Sequence, residues 1–258
     1  MYTSVIFPAN GLNMDHYRAY HTLKGHAVHG VYYRPHQSYT PPPRRFSWEW
    51  LMDTVVIPQS TDPRVGIGHS LGGTLLLYDA LKNPHRWHTL VIIDPALFSP
   101  AIIRAYRVIR WFGIEDRLHP MIIATKKRRQ HFTSIADTVH RWRNYPLFKQ
   151  VSSANLHAFV EASLHPSSES NGYTLRFSRD WETAIYRNMC SLDGFIWLNL
   201  NALKPRLWVI AGETSNTFLK GARHHIRPYC DQFITIPNTT HLIPFEAPLD
   251  IKNILESL

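Results

Sequence analysis

A serine flanked by glycines is the feature of this sequence that most directly suggests chemistry. In Gly68-His69-Ser70-Leu71-Gly72, a glycine lies two residues before the serine and another two residues after it. A strand that turns sharply into a helix at the serine needs this spacing, because bulky side chains at the outer positions would block the turn. The serine oxygen then stands clear of the backbone, and the Leu71 amide points at the same space. Ser70 is therefore predicted to be a nucleophile.

A histidine near the end of the chain is suited to activate that serine. His241 follows the last apolar run, in Thr239-Thr240-His241-Leu242-Ile243-Pro244. This loop is expected at the carboxyl end of a sheet, where open α/β sheets bind ligands. An imidazole can take the serine proton and return it to a leaving group near neutral pH. We therefore predict that His241 is the general base, whereas His69 is predicted to pack beneath the turn without a catalytic role.

The elements that must position these two residues follow an alternating pattern. Short apolar runs that end in turn residues alternate with stretches of helical periodicity, which is typical of a parallel sheet covered by helices. The predicted strands are Ser4–Phe7, Ala27–Tyr33, Arg64–Gly68, Leu90–Ile93, Arg206–Ala211 and Gln232–Ile236. The predicted helices include one from Ser47, one over Thr74–Leu81 and a last one over Leu249–Leu258.

A long segment interrupts this alternation. After Pro100 the chain becomes basic, aromatic and helical in pattern, and the strand pattern resumes only after Leu203. The sequence therefore predicts a core of residues 1–98 and 204–258 with an all-helical insertion over 99–203. Apolar residues recur at helical spacing in Ala101–Phe112, so this helix is expected to pack on the core or to roof the serine.

Together these motifs resemble the α/β-hydrolase superfamily, of the esterase, lipase and carbon–carbon hydrolase type. The resemblance covers nearly the whole chain: the loop after the first strand, the Gly-His-Ser-Leu-Gly turn, Val91-Ile92-Ile93-Asp94-Pro95, a cap, and the His241 loop with its trailing Glu-Ala-Pro. It implies an α/β-hydrolase fold: a mostly parallel sheet of about six strands, helices on both faces and an inserted helical cap. The insertion 99–203 is expected to be that cap.

The resemblance also implies an oxyanion hole. In the family, the first-strand loop reads His-Gly-x and the amide of x donates to the oxyanion. Pro8-Ala9-Asn10-Gly11-Leu12 occupies that place here, which predicts that the Leu12 amide donates together with the Leu71 amide. Losing one such donor typically costs about 3–4 kcal/mol in the transition state.

The third catalytic residue stays open at the level of sequence. In similar proteins the acid follows the penultimate strand, where this chain has Asn216 instead of aspartate. An amide cannot stabilise an imidazolium as a carboxylate does. Asp94, at the end of the preceding core strand, and Glu213, in the expected loop, are the two alternatives, and Asp94 is preferred. A Ser–His pair oriented by Asn216 is the remaining possibility.

Composition excludes several classes of protein. The chain has 258 residues, of which 44% are hydrophobic, so it has ample apolar surface for a core and is not intrinsically disordered. Two cysteines, Cys190 and Cys230, argue against a disulfide scaffold and favour a reducing compartment. A secretory leader and an apolar run of about 20 residues are both missing, so we expect a cytoplasmic location.

The positive net charge of the chain indicates which binding partners to expect. The net charge is +9, and residues 101–146 hold ten Lys/Arg against three acids. The pattern fits a solvated helical face, with weak attraction to anionic membranes or acidic substrates as the alternative. Nucleic-acid binding is not expected because no RNA-binding motif accompanies the charge. Metal-ligand spacings, phosphate loops and dinucleotide glycine patterns are also missing, so no metal or cofactor is expected.

These observations predict a carboxylic ester hydrolase that acts through an acyl-Ser70 intermediate. The expected substrate is a small ester or acyl compound with an apolar portion. Carbon–carbon bond hydrolysis and acyl transfer on the same fold are alternatives, because fold and nucleophile do not fix the substrate. A ligand-binding homologue without turnover is the third hypothesis.

Overall fold

A computed structural model describes residues 1–37, 40–168 and 171–258. In these residues six strands form one sheet in the order β2-β1-β3-β4-β8-β9, and three short strands form a second sheet in the order β5-β7-β6. The strands are β1 (Tyr2–Phe7), β2 (His26–Gly30), β3 (Arg64–His69), β4 (Thr89–Ile93), β5 (His131–Phe132), β6 (Leu164–Pro166), β7 (Tyr173–Leu175), β8 (Arg206–Gly212) and β9 (Gln232–Ile236).

Every pairing in the six-stranded sheet is parallel. The carboxyl ends of its strands therefore meet at one edge, and the turns after β3, β4, β8 and β9 start there. This confirms the predicted α/β-hydrolase fold with a mostly parallel sheet of six strands. The second strand is shorter than predicted: β2 ends at Gly30, although the Val31 amide still bonds to the Ile6 carbonyl oxygen at 3.0 Å.

Helices cover both faces of the sheet, because alternate side chains of its strands enter two separate cores. Val5 and Phe7 pack into one core and Ile6 into the other, and the buried strand β4 divides in the same way. The α-helices are α1 (Arg34–Gln37), α2 (Leu71–Lys82), α3 (Pro100–Trp111), α4 (Glu115–Leu118), α5 (Pro120–Lys127), α6 (Ile135–Arg143), α7 (Ser153–Ser163), α8 (Arg179–Arg187), α9 (Asp193–Asn199), α10 (Lys220–Ile226), α11 (Ile243–Glu246) and α12 (Pro248–Glu256).

Short 3-10 helices complete the described elements. They span Met14–Tyr20, Trp48–Thr54, Pro146–Phe148, Leu200–Ala202 and Arg227–Tyr229. The helix predicted from Ser47 is one of these, with the Ser47 hydroxyl accepting from the Glu49 amide. In the described parts of the chain, no helix is long and apolar enough to cross a membrane, and Cys190 and Cys230 are both free thiols.

The segment between β4 and β8 differs from the sequence prediction in one respect. It contains helices α3 to α9, as expected, but also the small antiparallel sheet of β5, β7 and β6. The all-helical prediction was wrong here because these strands have two or three residues each, too few to produce an alternating pattern. The domain boundaries 1–98, 99–203 and 204–258 stay a prediction, and residues 38, 39, 169 and 170 within them lie outside the described residues.

Candidate active site

The turn at Ser70 joins β3 directly to α2. Ser70 has φ 54° and ψ −118°, a conformation that side-chain-bearing residues rarely adopt and that costs energy. The flanking glycines permit it: a Cβ on Gly68 would lie 2.7 Å from the Gly72 carbonyl oxygen, and a Cβ on Gly72 would lie 2.0 Å from that of Phe7. The spacing seen in the sequence is therefore required by backbone contacts on both sides of the serine.

Three side chains that are distant in sequence meet at this turn. His241 Nε2 lies 2.9 Å from Ser70 Oγ, and His241 Nδ1 lies 2.7 Å from Asp94 Oδ2. Because a carboxylate can only accept, Nδ1 carries the ring proton and Nε2 is free to accept the serine hydroxyl proton. This relay of serine, histidine and carboxylate is the arrangement in which a hydroxyl becomes a nucleophile.

Asp94 is held by several further contacts at the carboxyl edge of the sheet. Its side chain is fully buried, its φ is 41°, and the Gly212 amide donates to Oδ1 at 3.1 Å. The Ser215 hydroxyl donates to Oδ2 at 2.5 Å, and Arg223 Nη2 lies 3.8 Å from Oδ1. These contacts fix the carboxylate that faces the histidine.

The other two residues considered for the acid lie elsewhere. Glu213 is exposed, and its Oε2 accepts from the Asn238 amide at 2.9 Å. Asn216 is also exposed. The structure therefore brings Asp94, rather than Glu213 or Asn216, to the imidazole.

His69 lies under the turn and makes hydrogen bonds that the sequence did not predict. The Ala9 amide donates to Tyr17 Oη at 3.0 Å, and Tyr17 Oη lies 2.8 Å from His69 Nδ1. On the other side of the ring, Nε2 donates to the His241 carbonyl oxygen at 3.0 Å. Burial lowers the pKa of His69 to about 3, so the ring stays neutral and anchors the main chain of His241. No sequence signal marks Tyr17, because its partner lies 52 residues away.

The oxyanion loop departs from the prediction. The Leu12 amide donates to the Ala9 carbonyl oxygen at 3.1 Å, so this group is already bonded within its own turn. Within the described residues, the amides of Asn10 and Leu71 donate no hydrogen bond. The assignment of Leu12 as a donor thus fails on local geometry, since Gly11 at φ 78° closes a turn that uses the amide.

A cavity of about 510 Å³ opens onto the serine and the histidine. Asn10, Ser70 and His241 line it, and most of the other lining residues belong to the segment between β4 and β8. The aromatic lining residues are Phe132, Trp142, Tyr145, Phe148, Phe159, Phe177 and Tyr186. Ser70 therefore lines a pocket whose wall includes seven aromatic side chains.

Comparisons with known proteins agree with this fold. The model of the Alpha/beta hydrolase family matches residues 5–251. This chain belongs to the alpha/beta hydrolase family. Among curated proteins, the chain is 24% identical over 197 residues to the Peroxisomal membrane protein LPX1 of Saccharomyces cerevisiae, a match that covers 71% of this chain. The chain spans about half the length of that relative, 49%.

Solved structures give the same fold at low identity. The peroxisomal alpha-beta-hydrolase Lpx1 from Saccharomyces cerevisiae superposes with a TM-score of 0.78 and 18% identity, over 99% of this chain and 75% of that one. An esterase of M. tuberculosis superposes with a TM-score of 0.71 and 14% identity, over 98% of this chain and 83% of that one. The thioesterase domain from the curacin biosynthetic pathway superposes with a TM-score of 0.72 and 13% identity, over 100% of this chain and 91% of that one. Such likeness shows the fold and does not assign a substrate.

This alpha/beta hydrolase also has buried polar groups in the cavity wall. Glu182 is buried, and its carboxylate bonds to the Arg128 guanidinium. Burial raises the pKa of Glu182, and the neighbouring Arg128 opposes that shift. Arg128 Nε and Asn10 Oδ1 are buried without a hydrogen-bond partner among the described residues. The sequence analysis did not predict the position of Glu182 in the cavity wall.

Proposed function

We propose that this protein is a serine hydrolase of carboxylic esters with Ser70 as nucleophile, His241 as general base and Asp94 as the residue that orients the imidazole. The observation that carries the proposal is the continuous chain of hydrogen bonds from Ser70 Oγ through both nitrogens of His241 to the buried Asp94. Asp94 also stabilises the imidazolium that forms when the serine proton is transferred.

The reaction follows from these positions. Ser70 Oγ bonds to the ester carbonyl carbon as its proton passes to His241 Nε2, and the carbonyl becomes an oxyanion. The intermediate collapses with cleavage of the ester C–O bond, and His241 gives the proton to the leaving alcohol. A water molecule then loses a proton to Nε2 and attacks the acyl carbon, which releases the carboxylic acid and returns the proton to Ser70.

We assign the oxyanion donors to the amides of Leu71 and Asn10. Leu71 begins α2, and both amides are free of acceptors in the described residues. The loop after β1 runs directly over the start of α2, since a Cβ on Gly72 would meet the carbonyl groups of Phe7 and Pro8. Asn10 and Ser70 line the same cavity. Asn10 thus replaces Leu12 as the second donor.

The segment 99–203 acts as the cap in this proposal. It supplies most of the cavity wall over Ser70, including the buried rings of Trp142 and Phe159. An aromatic wall of this kind favours an apolar acyl or alcohol group, because burying such a group in it removes apolar surface from water. Hydrolysis of a carbon–carbon bond or transfer to a second acyl acceptor would use the same residues, and product analysis with an added alcohol acceptor separates these outcomes.

A fluorophosphonate probe tests the nucleophile. We expect it to label Ser70, and we expect Ser70→Ala to remove both labelling and turnover of short-chain p-nitrophenyl esters. Ser163→Ala is the matched control, because Ser163 lines the cavity but bonds to His16 and not to His241. Labelling that persists in Ser70→Ala, or that disappears equally in the control, contradicts the assignment. Retention of an ester without turnover by the folded wild-type protein would favour a non-catalytic ligand-binding homologue.

Weak association with anionic membranes is a further part of the proposal. Trp111 and Phe112 are 87% and 69% exposed at the end of α3, and Arg104 and Arg107 are exposed on the same helix. Aromatic and basic side chains together favour the surface of an anionic bilayer. Sedimentation with phosphatidylserine vesicles is expected to exceed that with phosphatidylcholine vesicles, and equal binding to both contradicts it. The cytoplasmic location stays a prediction from the sequence.

A further inference from the structure

Three cations at the cavity have no acidic partner in residues 1–37, 40–168 and 171–258. Lys127, Arg129 and Arg141 all line it and are exposed, and the side chain of none of them forms an ion pair or a hydrogen bond within the described residues. Their neighbours differ: Lys126 bonds to Asp116 at 2.8 Å, and Arg128 bonds to Glu182. The segment therefore contains acids that neutralise cations, but not the three at the cavity.

The charge of the cavity lining is correspondingly one-sided. It includes four Lys/Arg side chains, which are the three above and Arg128, and one acid, Glu182. Because Glu182 pairs with Arg128, three positive charges remain without a counter-ion in the part of the chain that the structure describes. A cleft lined by one sign of charge between low-dielectric walls concentrates ligands of the opposite sign.

The cations and the reactive serine lie at different depths. Ser70 is 7% exposed, and Trp142, Phe148 and Phe159 are buried in the same wall. Lys127, Arg129 and Arg141 are exposed to solvent and so lie at the mouth. Arg141 and Trp142 are consecutive residues of α6, and both line the cavity, one exposed and one buried. This order suits a ligand whose apolar part enters first and whose charged part stays outside.

We propose that the substrate is an acyl ester or thioester that carries an anionic group, a phosphate or a carboxylate, and that Lys127, Arg129 and Arg141 hold this group at the mouth while the apolar part lies against the aromatic wall. The inference rests on the proposed function in one respect: it takes the cavity above Ser70 as the substrate site. It adds a charge requirement that the nucleophile, the base and the acid do not impose.

Equilibrium binding of non-hydrolysable probes tests the charge requirement. Octyl phosphate, octanoate and 1-octanol share one chain and differ in the polar end, and calorimetric titration of the wild-type protein gives each Kd. We expect octyl phosphate or octanoate to bind at least about tenfold more tightly than 1-octanol at low salt, since two or three cations face the anion. The preference should fall as salt rises, because exposed charges are screened. Whichever anion binds more tightly identifies the group.

Two triple variants separate position from total charge. Lys127→Gln, Arg129→Gln and Arg141→Gln together are expected to remove the preference for the anionic probes. Arg117→Gln, Lys149→Gln and Lys204→Gln remove the same charge from exposed positions outside the cavity lining, and this control should keep the preference. Thermal unfolding of both variants shows that each is folded.

The outcomes distinguish this inference from the proposed function. Equal binding of 1-octanol and the anionic probes, or the same loss of preference in both triple variants, overturns the charge requirement even if Ser70 is labelled. A preference that is lost only in the first variant supports it even if Ser70→Ala leaves activity intact, because these probes need no catalysis.

Discussion

The carboxyl edge of the sheet and the wall of the cavity above it differ in whether their polar side chains have partners within the protein. At the sheet edge, Ser70, His241, Asp94 and His69 are linked by hydrogen bonds, and Asp94 also receives an amide and a hydroxyl. In the wall, and within the residues that the structure describes, the Arg128 Nε atom has no hydrogen-bond partner and three cations form no ion pair with an acid. In the proposed function the first region is preorganised for one reaction, whereas the second leaves groups available to a ligand.

This difference between the two regions indicates that the sheet edge fixes the positions of the candidate catalytic residues, whereas the cavity wall selects the ligand. The residues at the sheet edge lie on turns that follow paired parallel strands, so their main chains are fixed by the sheet. The wall is built from short helices and a small sheet with exposed side chains at its mouth. We expect substitutions at the edge to change the rate or the fold, and substitutions in the wall to change which ligand is accepted.

The largest effect that would sharpen this comparison is expected for Asp94→Asn. The side chain keeps its size, and asparagine tolerates the φ of 41°, but an amide supports the wrong tautomer of His241. We expect kcat to fall by about 10⁴-fold, measured with a p-nitrophenyl ester.

Glu213→Gln is the matched control for that substitution. Glu213 is exposed and bonds to the Asn238 amide, away from the imidazole, so kcat should be unchanged. A large loss in Glu213→Gln with activity retained in Asp94→Asn would reverse the assignment of the acid.

Gly72→Ala is expected to cause the largest loss of stability. A Cβ there would lie 2.0 Å from the Phe7 carbonyl oxygen, which belongs to a central strand and cannot move aside. We expect destabilisation of about 3 kcal/mol or more, at the upper end for overpacking, measured by urea unfolding.

Gly113→Ala, in the inserted segment, gives the contrast. Its Cβ would meet nothing within 4 Å, and only its φ of 66° opposes a side chain. We expect a cost of about 1 kcal/mol. Equal losses in the two variants would mean that the sheet edge is no more tightly constrained than the insertion.

The next effect is a pH dependence within the insertion. Burial raises the pKa of Asp193 to about 7, so the folded state binds this proton more tightly than the unfolded state does. The contribution of protonated Asp193 to the free energy of unfolding is therefore complete below a pH of about 4, and it is lost as the pH rises through 7. The shift corresponds to at most about 4 kcal/mol.

Asp193→Asn tests this assignment. The variant keeps an oxygen that can accept from the Phe98 amide, which donates to Asp193 Oδ1 at 2.7 Å. We expect it to be more stable than the wild type by about 2 kcal/mol at pH 8 and nearly equal to it at pH 4, from urea unfolding at both values. A difference that does not change with pH contradicts the raised pKa.

The smallest expected effect concerns Tyr17, which bonds to His69 beneath the active-site turn. In Tyr17→Phe, the hydroxyl that fixes the His69 tautomer is lost, and with it part of the anchor on the His241 carbonyl. We expect kcat to fall about tenfold with little change in KM, equivalent to about 1.4 kcal/mol.

Tyr106→Phe removes a comparable hydroxyl from the insertion, where it donates to the carbonyl oxygens of Tyr186 and Arg187. This control should leave kcat unchanged. A loss of stability without a change in kcat in Tyr17→Phe would limit Tyr17 to a structural role.

The sequence predicted features that depend on local spacing. The turn at Ser70 could be predicted because its glycines lie two residues on either side. The six parallel strands could be predicted because each is an apolar run that ends in turn residues. The three-stranded sheet of the insertion was missed, since pairing between distant residues, such as His131 and Thr174, defines it.

The amino-acid sequence by itself determined the fold and the identity of the candidate nucleophile and base, because both are encoded by short motifs at the ends of predicted strands. Only the tertiary structure decided that Asp94 faces His241 and that three cations share a cavity with Ser70. The physical reason is distance along the chain: contacts between residues far apart in sequence, such as Asp94 and His241 at a separation of 147 positions, are set by strand order and packing, which no local pattern records.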